Sequence, residues 1–137
     1  MEFSLVLIPF LWILMGITDL GRGIYMNNGV GQAARELARA TSVHPCDPGA
    51  KVCTLGTSAE TAETLGTQEA LVPGLGEAGS SVTFACTTIN DEVLSSVNCP
   101  SGAFVRVHVT VPFQVITPLL SMVGPSVLAS TSHVQIP

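Results

Sequence analysis

The first forty residues constrain the fold of this chain more than any other stretch. Phe3 to Ile17 is a run of fifteen residues in which only Ser4, Pro9 and Gly16 are not strongly apolar. Large apolar side chains at consecutive positions would surround a helix on every side, which is typical of a helix embedded in lipid or in other helices. As a helix the run would be about 22 Å long, which is shorter than a ~30 Å hydrocarbon core unless residues 18–23 also enter it.

The same helix is predicted to continue, without a linker, into an amphipathic part that ends near Thr41. Leu20, Ile24 and the alanine-rich residues 33–38 recur at helical spacing, with charged side chains on the other faces. Pro9 removes one backbone donor and predicts a kink or local loosening near residues 5–9. Glycine weakens a helix, and Asn28-Gly29 is the predicted break.

Charge is distributed unevenly between this helix and the rest of the chain. The formal charges of residues 1–41 cancel, whereas residues 42–137 hold two cations against seven carboxylates, so the whole net charge of −5 lies there. An acidic domain repels phosphate backbones, and nucleic-acid binding is not expected. We therefore predict two domains, an N-terminal membrane or filament-core helix at residues 1–41 and an extracytoplasmic head at residues 42–137.

All four cysteines lie in the predicted head, which favours two disulfides and an oxidising compartment. Four cysteines allow three connectivities. Cys46 and Cys53 enclose a short Asp-Pro-Gly turn, and Cys86 and Cys99 lie on either side of one connection between strands. The pairing we expect is Cys46–Cys53 and Cys86–Cys99.

The remaining pattern predicts an α+β head. Residues 57–72 read as a short surface helix with Thr57 or Ser58 as its N-cap. Alternation predicts strands at residues 81–88, 103–113 and about 126–136, the valines of the second strand facing one way. The expected fold is one long helix, apolar in its first half and amphipathic in its second, packed against a head with one short helix and a three- to four-stranded antiparallel sheet. The inner side of the short helix is predicted to hold Ala62, Leu65, Ala70 and Leu71.

Catalytic and cofactor sites are not expected. Residues 29–34 fit the dinucleotide pattern G-x-G-x-x-A, but that pattern requires a preceding strand, and here it falls inside a helix. His44, His108 and His133 lack any nucleophile elbow, Cys-His signature or zinc-binding spacing nearby. The apolar loop at residues 114–125 has two readings, packing on the helix or contact with another subunit.

Three segments of the long helix resemble one family. An E-F pair opens an apolar stretch that ends in a proline, here Glu2-Phe3 and Pro9. A G-[IV]-x-D-x-G-R segment follows at residues 16–22, and an N-x-x-x-x-A-A-R-E-x-A-R segment runs from Asn28 to Arg39. These segments are similar to TadE-like pilins, the pseudopilin relatives found with tight-adherence (Flp-type) pili. The closing strands resemble that family more loosely, and the middle of the chain is not matched.

The resemblance implies a structural subunit of a type IV pilus-like filament, inserted in the cytoplasmic membrane and later extracellular. The alternative is a membrane-anchored minor pseudopilin that initiates or tips the pilus. Implied partners are further copies of the chain, other pilins, the assembly platform with its ATPase, and a prepilin peptidase; no cofactor is implied. The expected subunit contacts are Glu2, Phe3, Leu7, Pro9, Phe10, Leu11, Trp12, Leu14, Ile17, Leu20 and Ile24.

The position of Glu2 departs from the family pattern. In pilins the motif glutamate meets the N-terminal amine of an adjacent subunit, and in processed members it is usually the fifth residue, after a glycine cleavage point. Here it is the second residue. Either the processing differs or the natural chain begins a few residues earlier, and the amine pairing depends on which holds.

Overall fold

The computed structural model describes residues 2–46, 50–95, 97, 99–117 and 127–137. Helix α1 spans Glu2–Val43 and helix α2 spans Ala59–Leu71. Four strands follow: β1 at Ser81–Thr87, β2 at Val93–Ser95, β3 at Phe104–Pro112 and β4 at Val127–Gln135. The expected α+β class is therefore confirmed, with four strands.

The strands form one antiparallel sheet in the order β2-β1-β3-β4. The central strand β3 alternates strictly, so that Val105, Val107, Val109 and Val111 are completely buried on one face. The second half of α1 covers that face through Val30, Leu37 and the alanines at positions 33, 34 and 38, all of which are fully buried. The opposite face of the sheet carries polar side chains, as expected for a sheet with one covered face.

Helix α1 is continuous from Glu2 to Val43. Pro9 lies inside it, and the break predicted at Asn28-Gly29 does not occur. A Cβ atom added at Gly29 would lie 3.4 Å from a methyl group of Val72, so this part of the helix lies against the chain that follows α2. Packing against the head outweighs the cost of glycine in a helix, about 1 kcal/mol, and the predicted break is wrong for that reason.

Helix α2 has the predicted cap but a different inner side. Ser58 is the N-cap, and its hydroxyl accepts a hydrogen bond of 3.2 Å from the backbone N–H of Thr61. The Thr61 hydroxyl, which is buried, contacts the hydroxyls of Ser58 at 2.7 Å and of Thr41 in α1 at 3.4 Å. Of the predicted inner residues, Leu65 is half-buried, whereas Ala62, Ala70 and Leu71 are exposed. The helix is therefore docked through hydroxyl groups at its start, which an apolar pattern does not reveal.

One short strand of the head is not predicted from the sequence, and most of one predicted loop lies beyond the described residues. The three-residue edge strand β2 occupies a stretch that the sequence predicts as a plain connection. Disulfides join Cys46 to Cys53 and Cys86 to Cys99, with Cys86 completely buried. Residues 118–125, which are most of the predicted apolar loop, lie outside the described residues.

Candidate functional site

The N-terminal third of α1 exposes nearly all of its large side chains, and we call residues 3–17 the apolar segment. Phe3 is 79% exposed and Leu14, near the other end, is 45% exposed. Consecutive apolar residues leave no polar face that could be turned to water, because successive side chains point in directions about 100° apart around a helix. The other exposed apolar residues of the segment are Leu5, Val6, Leu7, Ile8, Phe10, Leu11, Trp12, Ile13, Met15 and Ile17.

A continuous apolar surface of this kind requires a nonaqueous partner, which is either lipid or protein. Over the described residues, the stretch Leu5–Val43 is long and apolar enough to cross a membrane, judged by length and composition, and its most apolar window is only 6% buried within the protein. The core helix of a soluble protein would be mostly buried. The helix therefore has the properties of a membrane anchor.

The residues that the sequence predicts as subunit contacts all lie on this exposed surface, as far as their side chains are described. Leu20 and Ile24 continue it beyond the apolar segment, and they are 65% and 55% exposed. The side chain of Glu2 lies outside the described part of the chain. Exposure is necessary for such contacts but does not demonstrate them, and the assignment stays a prediction.

Directly after the apolar segment, α1 is fastened to the head through a buried carboxylate. Asp19 is only 5% exposed. Its Oδ2 atom accepts hydrogen bonds from the backbone N–H of Thr117 at 2.7 Å, from the Thr117 hydroxyl at 2.6 Å and from the backbone N–H of Ile116 at 3.1 Å. A buried carboxylate is tolerated when donors and an opposite charge surround it. We call Asp19 and Arg22 of α1, together with residues 113–117, the junction.

Arg22, one helical turn after Asp19, completes the junction. One guanidinium nitrogen lies 3.6 Å from Asp19 Oδ1, and another donates to the carbonyl oxygen of Gln114 at 3.1 Å. The guanidinium also lies over the ring of Phe113, 5.4 Å from its centre, a favourable cation–π distance. Asp19 and Arg22 thus bind three successive peptide groups of the chain that follows β3. These bonds fix the position of that chain along the helix.

The junction was not predicted from the sequence. In the sequence, Asp19 and Arg22 are marked only as the two charged residues of the G-[IV]-x-D-x-G-R segment. Their partners lie more than ninety residues away along the chain.

The three histidines are held separately, each by a different partner. His44 contacts Glu60, His108 contacts the Thr131 hydroxyl at 2.8 Å, and His133 lies 3.7 Å from Asp91. Over the part of the chain that the structure describes, no three His, Cys, Asp or Glu side chains converge as metal ligands would.

Comparison with known proteins identifies the N-terminal third of the chain. Residues 1–39 match the family model described as TadE-like protein, so the resemblance seen in the sequence is confirmed over that stretch. The match covers the apolar segment, Asp19 and Arg22, and ends within the buried part of α1. No curated protein and no solved structure is significantly similar to the chain.

Proposed function

We propose that this chain is a structural subunit of a Tad (Flp-type) pilus-like filament, and that it polymerises through its N-terminal helix. The observation that supports this proposal is the exposed apolar segment, placed on the same unbroken helix whose second half forms the core of the head. A chain built this way carries its head rigidly on an apolar rod. Rods of this kind can be bundled while the heads remain in water.

The proposed route has two stages. The apolar segment first holds the chain in the cytoplasmic membrane, where a prepilin peptidase and the assembly platform act on it. The chain then passes into the filament, where apolar segments of neighbouring copies or of other pilins replace lipid around it. Two glycines of α1 suit this exchange, because Gly16 and Gly21 have open space beside them and permit close approach of helix backbones.

The test is the composition of filaments sheared from cells that carry the natural assembly system. We expect the chain in the sheared fraction, with its processed N-terminus identified by sequencing, and gold-labelled antibody along the whole filament length. Label confined to one end would contradict the bulk-subunit role and support the minor pseudopilin. A chain found solely in the membrane fraction would likewise contradict the bulk-subunit role.

A matched pair of substitutions tests whether the helix drives polymerisation. Leu14→Gln places one amide on the exposed apolar segment, and Ile89→Gln makes the same kind of change on the head, where Ile89 is 83% exposed. We expect Leu14→Gln to lower the filament yield while the membrane-bound pool persists, and Ile89→Gln to leave the yield unchanged. Equal yields from the two variants would contradict assembly through the helix.

A further inference from the structure

We propose that the junction is a lipid-contact surface, so that in the membrane-anchored state the head rests on the bilayer with Ile116 at the boundary between headgroups and acyl chains. The inference rests on the membrane anchoring in the proposed function and does not depend on filament formation. Three observations carry it: the length of the apolar segment, the pairing of each polar side chain of α1 at residues 18–22, and the exposed side chain of Ile116.

The apolar segment is too short to span a bilayer alone. Fifteen helical residues extend about 22 Å, against a hydrocarbon core of ~30 Å. The missing length of about 8 Å corresponds to roughly five more residues of helix, and tilting would increase the shortfall. Continuing from Ile17, those residues are 18–22, which are the residues that carry Asp19 and Arg22.

The polar side chains of residues 18–22 all have partners within the protein, which suits an environment poor in water. The Thr18 hydroxyl donates to the carbonyl oxygen of Leu14 at 2.9 Å, within the helix itself. Asp19 accepts hydrogen bonds from Ile116 and Thr117, and Arg22 forms an ion pair with Asp19 and donates one hydrogen bond to the Gln114 carbonyl oxygen. Polar side chains near the acyl chains are costly unless protein groups pair with them, and each of the three is paired.

The same hydrogen bonds place an apolar side chain of the head at this level. The backbone N–H of Ile116 lies 3.1 Å from Asp19, and the Ile116 side chain is 69% exposed. Leu20, also at this level of the helix, is 65% exposed. Burying such side chains at the lipid boundary is favourable because it removes apolar surface from water. The junction therefore exposes two apolar side chains, Ile116 and Leu20, beside polar groups that are paired within the protein.

The test measures the depth of a single tryptophan in phosphatidylcholine vesicles that contain the full chain. Trp12 is the sole tryptophan of the sequence. Trp12→Phe combined with Ile116→Trp therefore reports on the junction alone. Ile89→Trp in the same Trp12→Phe background is the matched control, because Ile89 is also exposed and follows β1 at the end of the sheet opposite the junction.

We expect tryptophan at position 116 to emit at shorter wavelength, to lose emission to lipid brominated on its acyl chains, and to be protected from acrylamide. Tryptophan at position 89 should behave in the opposite way. Equal acrylamide quenching at the two positions would overturn the proposal. The unmodified chain separates this result from a failure of anchoring, because Trp12 itself must be quenched by brominated lipid if the apolar segment is inserted.

Bilayer thickness provides a second measurement. In a bilayer with a hydrocarbon core of about 22 Å the apolar segment suffices, so position 116 should become accessible to acrylamide; in thicker bilayers its protection should increase. Protection that does not change with thickness would overturn the length argument. Circular dichroism of each variant verifies that the head remains folded.

Discussion

Two glycines of the head, Gly56 and Gly66, differ in backbone conformation and in the space around them. The same substitution should therefore change the stability of the fold in opposite directions at the two positions. Gly56 has φ +79°, and a Cβ atom there would lie 2.6 Å from the ring of Phe84. Gly66 lies inside α2 with open space around it. Gly56→Ala should therefore destabilise the fold by about 1–3 kcal/mol, whereas Gly66→Ala should stabilise it by about 0.5–1 kcal/mol.

Denaturant unfolding of the full chain in detergent, followed by circular dichroism, measures both effects. The two variants add the same methyl group, so any general effect of the substitution cancels in the comparison. Equal midpoints for the two variants would contradict the assigned backbone conformations.

Individual residues also show where sequence reasoning stops. The apolar character of residues 3–17 and the alternating valines of β3 are local patterns, and both were predicted because each residue's environment follows from its neighbours in the chain. The role of Asp19 could not be predicted in the same way. Its donors, Ile116 and Thr117, carry no sequence mark that pairs them with a particular carboxylate, and only the closed fold brings them together.

At the scale of elements, long periodic segments were predictable and short or polar-docked ones were not. Both long strands were predicted to within a residue at each end, whereas β2 depends on its pairing with β1 and has too few residues to show a period. Helix α2 was located correctly but given the wrong inner side, since its contact with α1 is made by Thr41 and Thr61 hydroxyls as well as by apolar groups.

The packing of the two helices gives a second pair of substitutions whose effects on stability should differ. Leu37 of α1 is completely buried, whereas Leu71 of α2, expected from the sequence to be internal, is 62% exposed. Leu37→Ala should lower the free energy of unfolding by about 2–5 kcal/mol, because it removes core contacts and leaves a cavity. Leu71→Ala makes the same change at the surface and should stay within about 0.5 kcal/mol of the unmodified chain.

Urea unfolding of the two alanine variants distinguishes the alternatives directly. A large loss of stability in Leu71→Ala would show that Leu71 is internal, as the sequence predicts for α2. A small loss in Leu37→Ala would contradict the packing of α1 against the sheet.

At the scale of the whole molecule, α1 has two structural roles. Its first part is the exposed apolar segment, and its second part supplies Met26, Val30 and Leu37 to the core that the sheet completes. The junction lies between these two parts and fixes the position along α1 at which the head is attached. This arrangement links anchoring to folding, because the helix that carries the exposed apolar segment is also the one on which the head is built.

Truncation separates these two roles. A chain of residues 16–137 lacks nearly all of the apolar segment but keeps Asp19, Arg22 and the whole described core, so it should be a folded, soluble monomer with a cooperative unfolding transition. A chain of residues 42–137 keeps the predicted head boundary but loses the helical side of the core. Its valine face would be left open to water, and it should be unfolded or aggregated. Cooperative unfolding of the 42–137 chain, with stability equal to that of the 16–137 chain, would show that the head folds without α1 and that residue 42 is an independent folding boundary.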